Sequence, residues 1–219
     1  MTVARCYTTF QRDIKSLLSI KPTRRKVIYM PDHSTTKNLQ RRAGISNRKA
    51  LVKETAQHFS QIISEKLIVD PVFVRAKNIL SYQPYAGEVD TFFFNEYSLA
   101  KGKKLAFPIC YDNGIMLAAV PNTPDAWETG KYGIKAPVES QSSILIPMDI
   151  DLVIVPCTAF DGHKRMRIGW GAGYYDRFLP KCRNAVKIAI AYEVQHIPGL
   201  CCDEWDVPLD AIVTELNWF

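Results

Sequence analysis

The sequence contains no run approaching the ~20 consecutive apolar residues of a membrane-spanning helix, and no apolar stretch after Met1 of the kind that marks a secretory signal. Paired cysteines are missing as well. The six present, Cys6, Cys110, Cys157, Cys182, Cys201 and Cys202, form no Cys-x-x-Cys pair and have no histidine at ligand spacing. Neither a zinc site nor a disulfide framework is indicated, and the thiols are read as reduced, with Cys157 a small packing residue and not a nucleophile. The four histidines, His33, His58, His163 and His196, share no spacing with a serine or cysteine that would suggest a nucleophilic triad. A Gly-x-x-x-x-Gly-Lys-Ser/Thr phosphate loop is absent too. A cytoplasmic enzyme without membrane contact is the expectation, with its chemistry carried by something other than histidine or cysteine.

With 219 residues the chain has room for one sizeable α/β domain with a full core, and its 47% hydrophobic and 23% charged residues exclude overall disorder. The net charge of +6 would hint at nucleic acid if it were spread over the chain, but it is not. Residues 1–29 hold seven Lys or Arg against Asp13 alone, whereas residues 30–219 hold 21 basic and 21 acidic residues. Residues 1–33 are therefore read as a basic N-terminal extension, disordered or an over-long start with Met30 as a second candidate, and residues 34–219 as the domain. The arm lacks regular aromatic interleaving, so no nucleic-acid partner is expected.

Residues 48–67 place Val52, Ala56, Phe59, Ile63 and Leu67 at the spacing of an amphipathic helix. Short strands are predicted over 78–82 and 104–108, separated by a turn containing Glu88 and by a helix over 92–101 that stops at Gly102. The apolar runs at 152–156, 186–192 and 211–214 read as buried parallel strands. Between the two sets, residues 121–140 are rich in Pro, Gly, Thr and charge, which predicts a long mobile loop of the kind that covers active sites. The alternation predicts a single three-layer α/β/α domain with a mainly parallel, Rossmann-like sheet.

Chemistry concentrates in one segment, where Arg167 and Ile168 precede Gly169, Trp170, Gly171, Ala172, Gly173, Tyr174, Tyr175 and Asp176. Alternating glycines let backbone N–H groups approach an anion, the helix predicted to open at Tyr174 adds its positive end, and Arg167 adds a fixed charge. Asp176 suits a hard cation, and Asp206 could converge on the same Mg²⁺ or simply cap a turn. The strand before this loop ends near Pro156, and a polar excursion intervenes before Gly169, which argues against a dinucleotide-binding fingerprint. Lys37 and Arg41, four apart, share a helix face, and Glu88 leaves the first strand where open α/β sheets place ligand groups.

Taken in order, these motifs resemble the 5-formyltetrahydrofolate cyclo-ligase (5,10-methenyltetrahydrofolate synthetase) family. The resemblance rests on Pro156, Phe160-Asp161 and the run from Arg167 to Asp176, on Gly87-Glu88-Val89-Asp90-Thr91 upstream, and on the stretch from Asp206 to Thr214 downstream. It extends from about Lys37 to the C-terminus and implies an enzyme that uses ATP and Mg²⁺ to convert 5-formyltetrahydrofolate to 5,10-methenyltetrahydrofolate, ADP and phosphate. By that resemblance Lys37, Arg41, Arg167 and Ile168 to Tyr175 would bind ATP, and Gln83, Glu88 and Trp170 to Tyr174 the folate. Asp176 and Asp206 would hold the metal, and Arg167, Tyr175 and Asp176 would act in catalysis. The chain departs from the family pattern at Trp170, Ala172, Ala136 and Ile109. A monomer is expected; the alternatives are a related ATP-dependent enzyme with another small substrate, or a non-catalytic nucleic-acid or regulatory binding protein.

Overall fold

Strands form where β-branched and aliphatic residues run together, and their side chains divide between two faces. In the computed structural model, which describes residues 32–219, a seven-stranded sheet is built from β1 (Asn78–Leu80), β2 (Lys104–Cys110), β3 (Met116–Pro121), β6 (Ser142–Leu145), β7 (Leu152–Pro156), β10 (Val186–Ile190) and β11 (Ala211–Val213). Its order is β11-β10-β7-β1-β2-β3-β6. The five strands from β11 to β2 are parallel, and β3 and β6 add an antiparallel edge. The expected mainly parallel α/β architecture is thus present, extended by a meander the sequence reading did not resolve.

Alternation along the strands builds two cores. Ile79, Leu105, Phe107, Leu152, Ile154, Ile188 and Ile190 pack with Ile63, Leu67, Phe73 and Phe94 from helices α2 (Lys53–Ile68), α3 (Pro71–Arg75) and α4 (Phe92–Ala100). Leu80, Ala106, Val153, Val155, Ala189 and Ile212 pack with Phe178, Leu179 and Cys182 in and after the short helix α5 (Tyr174–Phe178). One helical layer is therefore thick and the other thin. Full burial of each large side chain contributes about 1.5–3 kcal/mol, so both faces matter to stability.

The helix predicted over 48–67 is divided. Helix α1 spans His33–Lys49 and α2 begins at Lys53, with Val52 extended at φ −63°, ψ 142° between them. Near the end of α1, Arg48 turns inward and is 2% exposed, a burial rare for a guanidinium unless it is paired, so the two stretches do not share one surface-helix pattern. The segment 121–140 is also less irregular than expected. It contains the small hairpin β4 (Trp127–Thr129) and β5 (Lys135–Pro137), with a 3₁₀ turn at Lys131–Gly133.

The chain from His33 to Phe219 forms one compact unit. The basic extension expected at residues 1–33 falls, up to residue 31, outside the described residues. No helix among the described residues is long and apolar enough to cross a membrane.

From β1 the chain passes through α4 to β2 on one side, whereas β7 pairs with β1 on the other. Successive connections therefore diverge between β1 and β7, and the crevice outside the carboxyl ends of these strands is where open α/β sheets bind ligands.

Candidate active site

The polar excursion before the glycines is a hairpin of β8 (Ala159–Asp161) and β9 (Met166–Ile168), which returns the chain to that crevice. Gly171 (φ +102°) and Gly173 (φ +69°) adopt backbone conformations that side chains resist. The Gly169 carbonyl accepts from Arg41 Nε at 2.8 Å and the Ala172 carbonyl from Arg177 Nη2 at 2.6 Å. Among the described residues, the N–H groups from Gly169 to Gly173 donate to no protein acceptor. Pinned carbonyls and free amides suit an anion. Helix α5 has only five residues, so few peptide dipoles stand behind the loop and the expected helix-end contribution is small.

This loop is a wall between two cavities, sharing Gly169, Gly171, Ala172, Gly173 and Asp176 with both. The first, about 550 Å³, is aromatic: Tyr82, Tyr85, Tyr132, Trp170, Tyr174 and Tyr175 line it with Gln83, Glu88 and Arg167. The second, about 700 Å³, is charged, with Lys37, Arg41, Arg177, Asp176, Asp203 and Asp206 around one aromatic face, Trp205.

In the aromatic cavity Glu88 ends a tight turn in which Ala86 (φ 48°) and Gly87 (φ 80°) are both left-handed and the Glu88 N–H donates to the Tyr85 carbonyl at 3.1 Å. A positive φ at Ala86 costs about 1 kcal/mol, borne where the turn presents the carboxylate. Glu88 Oε1 accepts from the Trp170 indole at 2.9 Å and Oε2 from the Tyr85 N–H at 3.0 Å. Burial pushes its carboxyl above the usual range, against the Trp170 bond and the Arg48 charge that pull it down. Two buried polar atoms here, Arg167 Nε and Tyr175 Oη, have no partner among the described residues. Burial also raises the Tyr175 phenol and pushes the Cys157 thiol up to about 12, which fits the reading of Cys157 as an inert packing residue.

In the charged cavity Lys37 Nζ bridges Asp203 at 2.6 Å and Asp206 at 2.5 Å. Burial would pull its ammonium down, but the bonds to both carboxylates outweigh that and leave it raised. Asp206 also accepts from the Asp203 N–H at 2.8 Å, so it caps the 203–206 turn as well as facing the cavity. Asp176, which also lines this cavity, accepts from Arg167 Nη2 at 3.1 Å, and that guanidinium lies over the Tyr175 ring. No group of three His, Cys, Asp or Glu able to hold a metal exists among the described residues. Asp176 and Asp206 both line this cavity, and oxygen donors of this kind are the ligands that Mg²⁺ takes from a protein while keeping most of its shell as water and phosphate oxygens.

Most residues singled out in the sequence line these cavities, divided between them. Lys37, Arg41 and Asp206 lie on the charged side, Gln83, Glu88, Arg167, Trp170, Tyr174 and Tyr175 on the aromatic side, and Asp176 on both. Ile168 lines neither; its side chain packs with Ala159 and Leu200, and its carbonyl anchors the loop by accepting from Thr158 N and Oγ1, each at 2.8 Å. Sequence reasoning missed Arg48, Arg177, Asp203 and Trp205. A helix starting at His33 would have revealed Arg48, since positions 37, 41 and 48 fall on one face.

Fold and site together define an α/β protein with a glycine loop of free amides set between an aromatic cavity and a charged one. The chain belongs to the 5-formyltetrahydrofolate cyclo-ligase family, whose model matches residues 33–215. It is 28% identical over 171 residues to the 5-formyltetrahydrofolate cyclo-ligase of Escherichia coli K12, covering 76% of this chain and 93% of that protein. It is similar to the solved structure of Aquifex aeolicus 5,10-methenyltetrahydrofolate synthetase, with TM-score 0.74, 32% identity, and coverage of 83% of this chain and 91% of that one. The 5,10-methenyltetrahydrofolate synthetase structure from Mycoplasma pneumoniae matches with TM-score 0.67 and 28% identity over 82% of this chain and 98% of that chain.

Proposed function

We propose that this protein is an ATP- and Mg²⁺-dependent ligase that cyclises 5-formyltetrahydrofolate to 5,10-methenyltetrahydrofolate with release of ADP and phosphate. The observation that carries the reading is the glycine loop shared by an aromatic cavity and a charged one, which lets a flat heterocycle and a triphosphate meet at a single wall. The pterin occupies the aromatic side, with Glu88 accepting from its ring and amino N–H groups. The triphosphate lies along the free loop amides toward Lys37 and Arg41, and Trp205 offers the base a face.

At the wall, the formyl oxygen attacks the γ-phosphorus and ADP leaves. N10 then adds to the activated carbon and gives up its proton to solvent, and phosphate departs with the former formyl oxygen. Arg167 and the loop amides offset charge on the moving phosphoryl group, a task of positioning and electrostatics. Asp176 and Asp206 would hold Mg²⁺, which neutralises phosphate charge when bound. A cytoplasmic monomer completes the reading, and the charge balance of residues 30–219 supports the absence of a nucleic-acid partner. The test is direct: purified protein with 5-formyltetrahydrofolate and Mg-ATP should develop methenyl-folate absorbance with matching ADP release. ATP turnover that another small acceptor stimulates and folate does not would overturn it.

Two expected outcomes follow from this arrangement. Glu88→Gln should weaken folate binding about 10- to 100-fold, the loss of one charge-assisted hydrogen bond, and leave ATP binding unchanged by calorimetry. Arg48 keeps its carbonyl acceptors on Ala86 and Cys157 in that variant, so the fold should persist. Equal losses for both ligands would reject the assignment. Second, residues 1–29 are proposed to be dispensable, because they hold the surplus charge and the family match begins at residue 33. A chain starting at Met30 should fold and turn over like the full one; loss of activity on removing them would show that the extension takes part.

A further inference from the structure

Arg48 stands at the end of α1 with its side chain wholly buried. Its Nε donates to the Ala86 carbonyl at 3.2 Å and its Nη1 to the Cys157 carbonyl at 3.1 Å. Nη1 lies 3.9 Å from Glu88 Oε1, and the guanidinium sits 5.0 Å from the centre of the Trp170 ring. One side chain thus touches three parts of the aromatic cavity's wall: the 85–88 turn, the chain leaving β7, and the glycine loop. Nη2 is buried without a partner among the described residues, so the group is not fully satisfied where it stands. Desolvating a guanidinium is costly, and an aliphatic side chain would fill the space more cheaply.

Arg48 itself lines neither cavity, whereas Glu88 and Trp170 both line the aromatic one. Trp170 is 42% exposed and lies between two glycines, with the half-exposed Tyr85 ring edge-on to it at 5.4 Å, so neither burial in the core nor a stiff backbone fixes it. Its two fixed polar contacts are the Glu88 carboxylate and the Arg48 face.

We propose that Arg48 is a positioning residue for the aromatic cavity, holding the Glu88 carboxylate and the Trp170 indole from behind so that this wall is arranged before a ligand enters. The inference rests on the reading that this cavity takes the folate. Preorganisation of that kind lowers the ordering cost of binding and should appear in affinity before it appears in rate.

The test compares Arg48→Met, Glu88→Gln and the double variant by two readouts. The first needs no substrate: the indole N–H resonance of Trp170, assigned among the chain's four tryptophans by its loss in Trp170→Phe. Arg48→Met should shift or broaden that resonance while the other three stay in place. The second is steady-state kinetics, where Arg48→Met should raise KM for 5-formyltetrahydrofolate about tenfold, leaving KM for ATP and kcat within about threefold. If Arg48 works through Glu88, adding Arg48→Met to Glu88→Gln should change folate KM by less than about threefold, the non-additivity of contacting groups.

An unmoved indole resonance with unchanged folate KM, or equal rises in both KM values, would overturn the proposal. Should Arg48→Met fail to fold because it leaves Glu88 buried without its charge partner, the double variant has no such lone charge; a Trp170 resonance and a folate KM both unchanged from those of Glu88→Gln alone would then overturn it. A wild-type protein inert toward folate would remove the functional reading, while the indole resonance would still decide whether Arg48 sets the wall.

Discussion

Arg167→Met is expected to lower turnover about 10³-fold, the scale for removing a preorganised charge from a site of phosphoryl or acyl transfer, without unfolding the protein. The Arg167 side chain is 4% exposed, pairs with Asp176, and carries an Nε with no protein partner among the described residues, on the wall where the two cavities meet. Its charge is therefore desolvated, fixed and incompletely satisfied, the state in which a guanidinium interacts most strongly with charge that develops during reaction. Methionine keeps much of the volume, and Asp176 at 23% side-chain exposure can regain water, so the cost should fall on kcat and not on melting temperature. Arg167→Lys should recover only part of the loss, because an ammonium cannot reproduce the planar fork. ADP release with saturating 5-formyltetrahydrofolate measures this, and a fall below tenfold would place the charge away from the transferring group.

Asp176→Asn and Asp206→Asn should each impair turnover through the metal, by about 10²-fold and about 10-fold respectively, because Mg²⁺ held by few protein carboxylates depends on each of them. The order follows from where the two residues stand. Asp176 lies just after the glycine loop and borders both cavities, so its carboxylate would face the proposed site of transfer. Asp206 is already engaged by Lys37 and by the Asp203 N–H, and an asparagine there retains an oxygen to cap the 203–206 turn. Lys37 would keep Asp203 at 2.6 Å. Partial rescue by raised Mg²⁺ in both variants, read as ADP release, is the signature of a loosened metal. Wild-type activity of both at limiting Mg²⁺ would leave Asp206 a turn cap and put the metal elsewhere.

Much of the site was legible because its parts are local in sequence. The glycines, Arg167, Tyr174, Tyr175 and Asp176 lie within ten residues, and their order alone pointed to one loop with a fixed positive charge and a carboxylate beside it. Glu88 was legible for a similar reason, since it leaves a strand through Ala86-Gly87, a turn with its own signature. Arg48 was not. It sits in a run whose apolar periodicity continues through 52, 56, 59, 63 and 67, and nothing local separates a cation ending one helix from a cation opening the next.

By itself the sequence determined the parallel strands of the α/β core, whose apolar runs suit no partly solvated structure, and the tight course of the loop, which needs glycine at Gly171 and Gly173 to turn as it does. Tertiary structure decided the rest. Strand order placed the loop at the divergence of β1 and β7, and the β8–β9 hairpin carried it there, so that one wall came to separate an aromatic cavity from a charged one. Helix α1 then set Lys37 and Arg41 on one side of that wall and Arg48 behind the other. These relations join residues more than a hundred positions apart. They follow from which hydrophobic faces can be buried together, and short-range periodicity carries no record of that.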